Sequence, residues 1–184
     1  MKKILLFAWE IIKIVVIALV IVIPIRYFVF EPFIVKGQSM EPNFKQSDYL
    51  IVDKISYRFR EPKRGEVIVF EYPQNPSHKY IKRIIGLPGE TISIQNGEIL
   101  IYKKNLDSLI LNELNYFPYE VYTRGNIRIT LDKNKYFVLG DNRVGMSSYD
   151  SRHWGSLPRE NIIGKVLFRL LPIDNISKIG IPVY

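Results

Sequence analysis

The sequence predicts a mainly β protein, a β-rich domain following one N-terminal transmembrane helix. Residues Ile14 to Ile25 (IVVIALVIVIPI) form an uncharged apolar run. Beyond it the chain changes to short runs rich in Val, Ile, Tyr and Phe, separated by turn residues, which is the pattern of strands. With 184 residues, 47% of them hydrophobic, there is material for one domain of ordinary size plus a short appendage.

The apolar run alone spans about 18 Å of a roughly 30 Å hydrocarbon core. Counted from Ile4, across Glu10 and Lys13, it reaches about 33 Å, and counted on to Phe30, across Arg26, about 26 Å. Either extension crosses with a polar side chain snorkelling or paired. Glu10 and Lys13 lie three apart on one helical face and can pair. Lys2 and Lys3 precede the span, so the positive-inside rule keeps that end in the cytoplasm and exports the remainder, with Arg26 and Lys36 pulling against this orientation. A cleavable leader would show an Ala-x-Ala arrangement after the apolar run, and Pro24-Ile25-Arg26-Tyr27-Phe28 has none. Residues 1–30 therefore read as an uncleaved anchor and 31–184 as an extracytoplasmic domain. A buried core helix is the alternative, but the segment is terminal and apolar all round.

Strands are expected at Tyr49–Val52, Glu66–Glu71, Lys79–Ile85, Thr91–Ile94, Ile99–Tyr102, Ile127–Leu131, Tyr136–Leu139 and Ile162–Leu170. Gln95-Asn96-Gly97-Glu98 is a hairpin signal, because Asn-Gly takes the two positive φ angles of a type I′ turn. Leu87-Pro88-Gly89-Glu90 has the Pro-Gly centre of a type II turn. Residues 103–124 break this rhythm and read as an insertion or a small second lobe.

Composition narrows the chemistry. With no cysteine, disulfides, thiolate metal sites and cysteine nucleophiles are excluded, and only His78 and His153 supply imidazoles, so neither a metal nor another cofactor is expected. The net charge of +8 (26 basic against 18 acidic residues) favours an anionic surface, and the apolar N-terminus points to lipid headgroups rather than nucleic acid.

Three segments carry candidate chemistry. Ser39 lies between Gly37 and Pro42, where the chain is expected to bend and then run extended, presenting a hydroxyl beside its own backbone N–H. On the Lys79–Ile85 strand, Tyr80, Lys82 and Ile84 share one face while Ile81, Arg83 and Ile85 share the other. An ordinary lysine, with a pKa of about 10.4, stays protonated near neutrality, but burial between apolar neighbours would favour the neutral amine and make a base of it. The third segment, Gly140-Asp141-Asn142-Arg143 with Ser148-Tyr149-Asp150-Ser151-Arg152-His153-Trp154-Gly155, reads as a buried polar scaffold. Asp141 and Asp150 can pair there with Arg143, Arg152 or Arg83, and a serine hydroxyl could hold the Lys82 amine.

In their order and spacing, the anchor, Ser39-Met40-Glu41-Pro42, Asp48 to Lys54, Arg64 to Phe70, Lys82 to Glu90, Gly140 to Arg143 and Ser148 to Arg159 resemble the bacterial type I signal peptidases, or leader peptidases, of peptidase family S26. These are membrane-anchored Ser/Lys endopeptidases that remove signal peptides from exported proteins. The resemblance implies a signal-peptidase-like catalytic domain with Ser39 as nucleophile and Lys82 as general base. It also implies that Ser148 orients the lysine and that Asp150, Arg83 and Arg152, with Asp141, form the ionic scaffold behind the site. The family's side-chain oxyanion donor falls on Gly37, which leaves that role to backbone N–H groups. The stretch between Arg143 and Asp150 is about two residues longer than usual in the family, so Ser147 competes with Ser148. Ser148 keeps the Ser-x-Asp-Ser-Arg register, with a bulge at Gly145.

Secretory preproteins are the implied substrate, added as a strand at a sheet edge, with Ile34 and Met40 lining shallow pockets for small side chains. A single-pass, monomeric enzyme of the plasma or inner membrane is implied, with Phe33, Ile34 and Phe44 lying on membrane lipid. Other readings are a Ser-His-Asp hydrolase using His153 beside Asp150, a self-cleaving repressor, which lacks a helix-turn-helix here, and a non-catalytic membrane-anchored β-rich binding protein.

Overall fold

The computed structural model of the chain describes residues 2–103, 108–114, 116–117, 119–144 and 147–182. Helix α1 (Lys2–Pro24) opens the chain and continues as a wider π-helical stretch, Ile25–Val29. This change begins directly after Pro24, whose ring and missing N–H interrupt the regular hydrogen-bond ladder. The apolar stretch Leu6–Val29 has 24 residues, long enough at about 36 Å to cross a bilayer, and at its end the Tyr27 and Phe28 rings meet Lys54 and Arg58 of the following domain. Glu10 and Lys13 pair along it at 2.7 Å.

Twelve strands follow among the described residues: β1 (Phe30–Ile34), β2 (Tyr49–Asp53), β3 (Val67–Tyr72), β4 (Asn75–Gly86), β5 (Thr91–Gln95), β6 (Glu98–Tyr102), β7 (Ser108–Ile110), β8 (Ile127–Thr130), β9 (Lys135–Leu139), β10 (Leu157–Pro158), β11 (Ile162–Leu171) and β12 (Ser177–Lys178). A one-turn helix, α2 (Ser151–Trp154), precedes β10. Every run expected to be a strand is one. β1, β7, β10 and β12 were not expected. β1 follows the anchor without turn residues and carries Pro32, which is tolerated because β1 is an edge strand.

The larger sheet runs β1-β2-β11-β3-β4-β9-β10, with β12 on β11, and the smaller β7-β6-β5-β8. Long β4 links them in sequence, pairing with β3 through Ile68↔Lys82 and Val67↔Arg83 and with β9 through Arg83↔Leu139. The two turns take the expected backbone, with φ of 53° and 89° at Asn96 and Gly97 and 82° at Gly89.

Three apolar clusters fix the sheets. Val52, Val67, Ile81 and Val166 pack under the β1–β2 loop. Ile85, Ile92, Phe137 and Leu139 join the sheets, and Ile68, Phe70, Ile84 and Val138 fill the opposite face of the larger one. Each such fully buried side chain contributes about 1.5–3 kcal/mol. The 103–124 segment supplies β7 to the smaller sheet. Its remaining described residues carry no strand.

Candidate active site

Because successive strand side chains alternate, β4 sends Lys82 and Arg83 to opposite faces, and both are 3% exposed. Lys82 Nζ donates to Ser39 Oγ at 2.7 Å and to the Ile81 carbonyl at 2.9 Å, with the Tyr80 ring 5.7 Å from the ammonium. Burial pushes the Lys82 pKa down to about 8. The Asp150 and Asp141 carboxylates oppose that fall, and the Arg152 guanidinium adds to it.

Ser39 sits in the β1–β2 loop. After it the chain turns instead of running extended past Pro42: Glu41 N–H donates to Gln38 O at 3.1 Å and Phe44 N–H to Met40 O at 2.9 Å. Gly37, with φ of 79°, enters that turn in the left-handed region that side chains disfavour. From the far side, Asn142 clamps the loop, its backbone N–H donating to Ser39 O at 3.0 Å and its Nδ2 to Gln38 O at 3.0 Å. Gly140 permits this approach, since a Cβ there would overlap both the Ser39 carbonyl oxygen and Ser148 Oγ.

Behind the dyad lie three buried ion pairs. Asp141 receives Arg83 Nε at 2.8 Å and Nη2 at 2.6 Å, and Asn43 Nδ2 at 2.9 Å. Asp150 receives Arg152 Nε and Nη2, each at 2.8 Å, and the Gly140 N–H at 3.1 Å. These contacts outweigh its burial and hold its carboxyl below the usual range. Arg143 donates to Glu113 Oε2 at 2.7 Å, to Thr123 Oγ1 at 2.8 Å and to Gly140 O at 2.7 Å. The pairing of Asp141 and Asp150, open from sequence among three arginines, thus resolves to Arg83 and Arg152, and Arg143 turns to the 103–124 segment.

The family model of signal peptidases, peptidase S26, matches residues 8–171. The chain belongs to this family. It is 40% identical over 178 residues to a signal peptidase I of Leptolyngbya laminosa, spanning 93% of this chain and 83% of that protein. It is 36% identical over 169 residues to signal peptidase I P of Bacillus subtilis subsp. natto, spanning 90% of each. A crystal structure of a signal peptidase I from Enterococcus faecalis V583 aligns with a TM-score of 0.46 at 30% identity, over 58% of this chain and 97% of that one.

Within this signal peptidase the other anticipated residues are distributed unevenly. Ile34 lines a cleft of about 520 Å³ together with Phe33, Lys36, Ser39, Tyr80 and Lys82. Met40 does not, for its side chain is fully buried in the core beneath the loop. Phe44, expected on lipid, is also buried, with the Arg169 guanidinium 5.0 Å above its ring. Ser148 is fully buried and Ser147 exposed, while Gly145, the expected bulge, lies outside the described residues. Ser148 Oγ makes no well-formed hydrogen bond among the described residues, yet stands close enough to Asp150 to favour its ionised carboxylate.

His153 is exposed and its ring packs 5.2 Å from Tyr149, while both Asp150 oxygens are taken by Arg152, so no Ser-His-Asp relay forms. Among the described residues, no three His, Asp or Glu side chains gather as a metal would need. Asn142, Asn43, Glu113 and Thr123 are site residues that sequence reasoning did not single out. For Asn142 the signal was present in its place between Asp141 and Arg143. For Glu113, in an irregular segment thirty positions away, there was none.

Proposed function

We propose that this signal peptidase cleaves secretory preproteins by acyl transfer, with Ser39 as nucleophile and Lys82 as general base. The observation that carries the reading is the 2.7 Å contact between Ser39 Oγ and the amine of Lys82, a residue only 3% exposed. A pKa of about 8 leaves a working fraction of neutral amine near neutrality. Neutral Lys82 accepts the Ser39 proton as Oγ attacks the scissile carbonyl, and backbone N–H groups, Ser39's own among them, stabilise the oxyanion. Lys82 then protonates the departing amine of the mature protein, leaving an acyl-enzyme. Water, deprotonated by the same lysine, releases the signal peptide. Ser148, buried against Gly140 with its hydroxyl near Asp150, is a positioning residue for the amine.

The cleft between β1 and the outer half of β4 accommodates an extended segment, with Ile34 and Tyr80 as its apolar walls. Helix α1 anchors the chain as a single pass in the plasma or inner membrane, with the basic domain on the extracytoplasmic side against lipid headgroups, and the enzyme acts as a monomer.

The test is cleavage of a preprotein carrying an Ala-x-Ala site by the detergent-solubilised chain, mapped by mass spectrometry, beside Ser39→Ala and Lys82→Ala. The expected result is one cut after the second Ala, lost in both variants. Cleavage persisting in Lys82→Ala would move the base elsewhere. No cleavage by the folded parent would leave the non-catalytic binding protein as the better account.

A further inference from the structure

An endopeptidase must hold chain on both sides of the bond it cuts, yet the cleft beside Ser39 and Lys82 extends to one side only, along β1 and β4. A second cleft of about 280 Å³ opens behind Asn142, lined by Tyr119, Glu120, Tyr122, Arg124, Asn142 and Val144 among others. The two are linked by hydrogen bonds, because Asn142 lines the second cleft and donates its N–H to the carbonyl of Ser39, which lines the first, and its Nδ2 to that of Gln38. We propose that this second cleft, walled by Tyr119, Glu120, Tyr122 and Arg124, receives the first residues of the mature preprotein, those immediately beyond the scissile bond. The inference rests on Ser39 being the nucleophile, since that places the scissile bond at the Asn142 boundary.

The cleft's wall is built rather than incidental. Tyr122, 64% exposed, lies on the hairpin turn at Gly97, where any Cβ would overlap its ring. The neighbouring Thr123 N–H donates to Gly97 O at 2.9 Å. Tyr119 stacks on buried Phe117 with centroids 6.3 Å apart, and Phe117 in turn lies 5.6 Å from the Arg143 guanidinium. The Glu113–Arg143 pair then ties this wall to the loop that grips Ser39. Two exposed tyrosines with fixed supports offer rigid, amphipathic area to a peptide at low entropic cost. Glu120 and Arg124, both exposed at the rim, suit a polar, mixed-charge segment such as a mature N-terminus in transit.

The test compares two peptide substrates with the same signal-peptide side, one ending one residue after the cut and the other five residues after it, using the full chain in detergent. The parent should cleave the longer substrate with a higher kcat/KM. In Tyr122→Ala and in Tyr119→Ser the ratio of long to short should fall by about threefold to tenfold, in line with the loss of one aromatic contact. Tyr122→Phe keeps the ring and should keep the ratio, which separates contact from folding. Equal proportional losses on both substrates, or a parent indifferent to length, would overturn the inference while leaving the dyad intact. Failure to cut either substrate would overturn both.

Discussion

Lys82 combines two properties that pull against each other, and its titration tests both. Were its pKa the ordinary 10.5, the neutral fraction at pH 7 would be about 0.03%. At the value of about 8 that burial imposes it is about 9%, a gain of about 300-fold in competent base. The expected pH profile of kcat/KM on a signal-peptide substrate is therefore a single ascending limb with its midpoint near pH 8, rising about tenfold between pH 7 and 9. The same burial has a folding cost. The unfolded lysine keeps its proton to about pH 10.5 and the folded one releases it near 8, so between these values the unfolded state binds more protons and stability rises with pH. Below pH 8 the penalty is fully present, about 3 kcal/mol. Lys82→Met removes it, so the inactive variant should be more stable than the parent at pH 7 by up to about 3 kcal/mol, less any packing lost, and the difference should shrink toward pH 10.5. Denaturant titrations at pH 7, 8.5 and 10 measure this. A parent more stable than the variant at pH 7, or a difference independent of pH, would refute the idea that a buried, desolvated lysine is the base.

Other substitutions probe the supports. Arg152→Met removes a cation that lowers the Lys82 pKa, so the ascending limb should move to higher pH, and a shift to lower pH would contradict this electrostatic account. Gly140→Ala would drive a methyl into the Ser39 carbonyl and Ser148 Oγ, and displacing the nucleophile by even ~1 Å should lower kcat about 100-fold, measured on a standard peptide. Glu113→Gln leaves the buried Arg143 without its anion, at a cost of about 3–5 kcal/mol, seen as a Tm lower by about 10 °C. An unchanged Tm would mean that the 103–124 segment is not tied to the catalytic sheet through this pair.

What could be read from sequence divides along a physical line. Strands such as β3, β5 and β9 were legible because alternation and β-branching are local properties, and the Asn96-Gly97 turn because its two positive φ angles admit few residues. Lys82 stood out for a related reason, being a charged residue flanked on its own face by Tyr80 and Ile84. Met40 is expected from sequence in a substrate pocket and Phe44 on lipid, and neither stands there. The turn after Ser39 instead folds both inward, and only tertiary packing decides that.

The ion pairs show the same division more sharply. Sequence offered three arginines for two aspartates, and nothing local ranks the pairings. The choice is made by β4 alternation, which sends Arg83 to the Asp141 side, and by α2, where Asp150 caps the helix and so meets Arg152 two residues on. Once those two pairs are formed, Arg143 remains buried and must find an anion, since an isolated guanidinium there would cost several kcal/mol. Glu113 meets that need from a segment with no strand pattern of its own. The described part of this irregular segment is thus held in register by the charge balance of the larger sheet, and its Tyr119 and Tyr122 come to line a cleft with Asn142, which binds the Ser39 carbonyl.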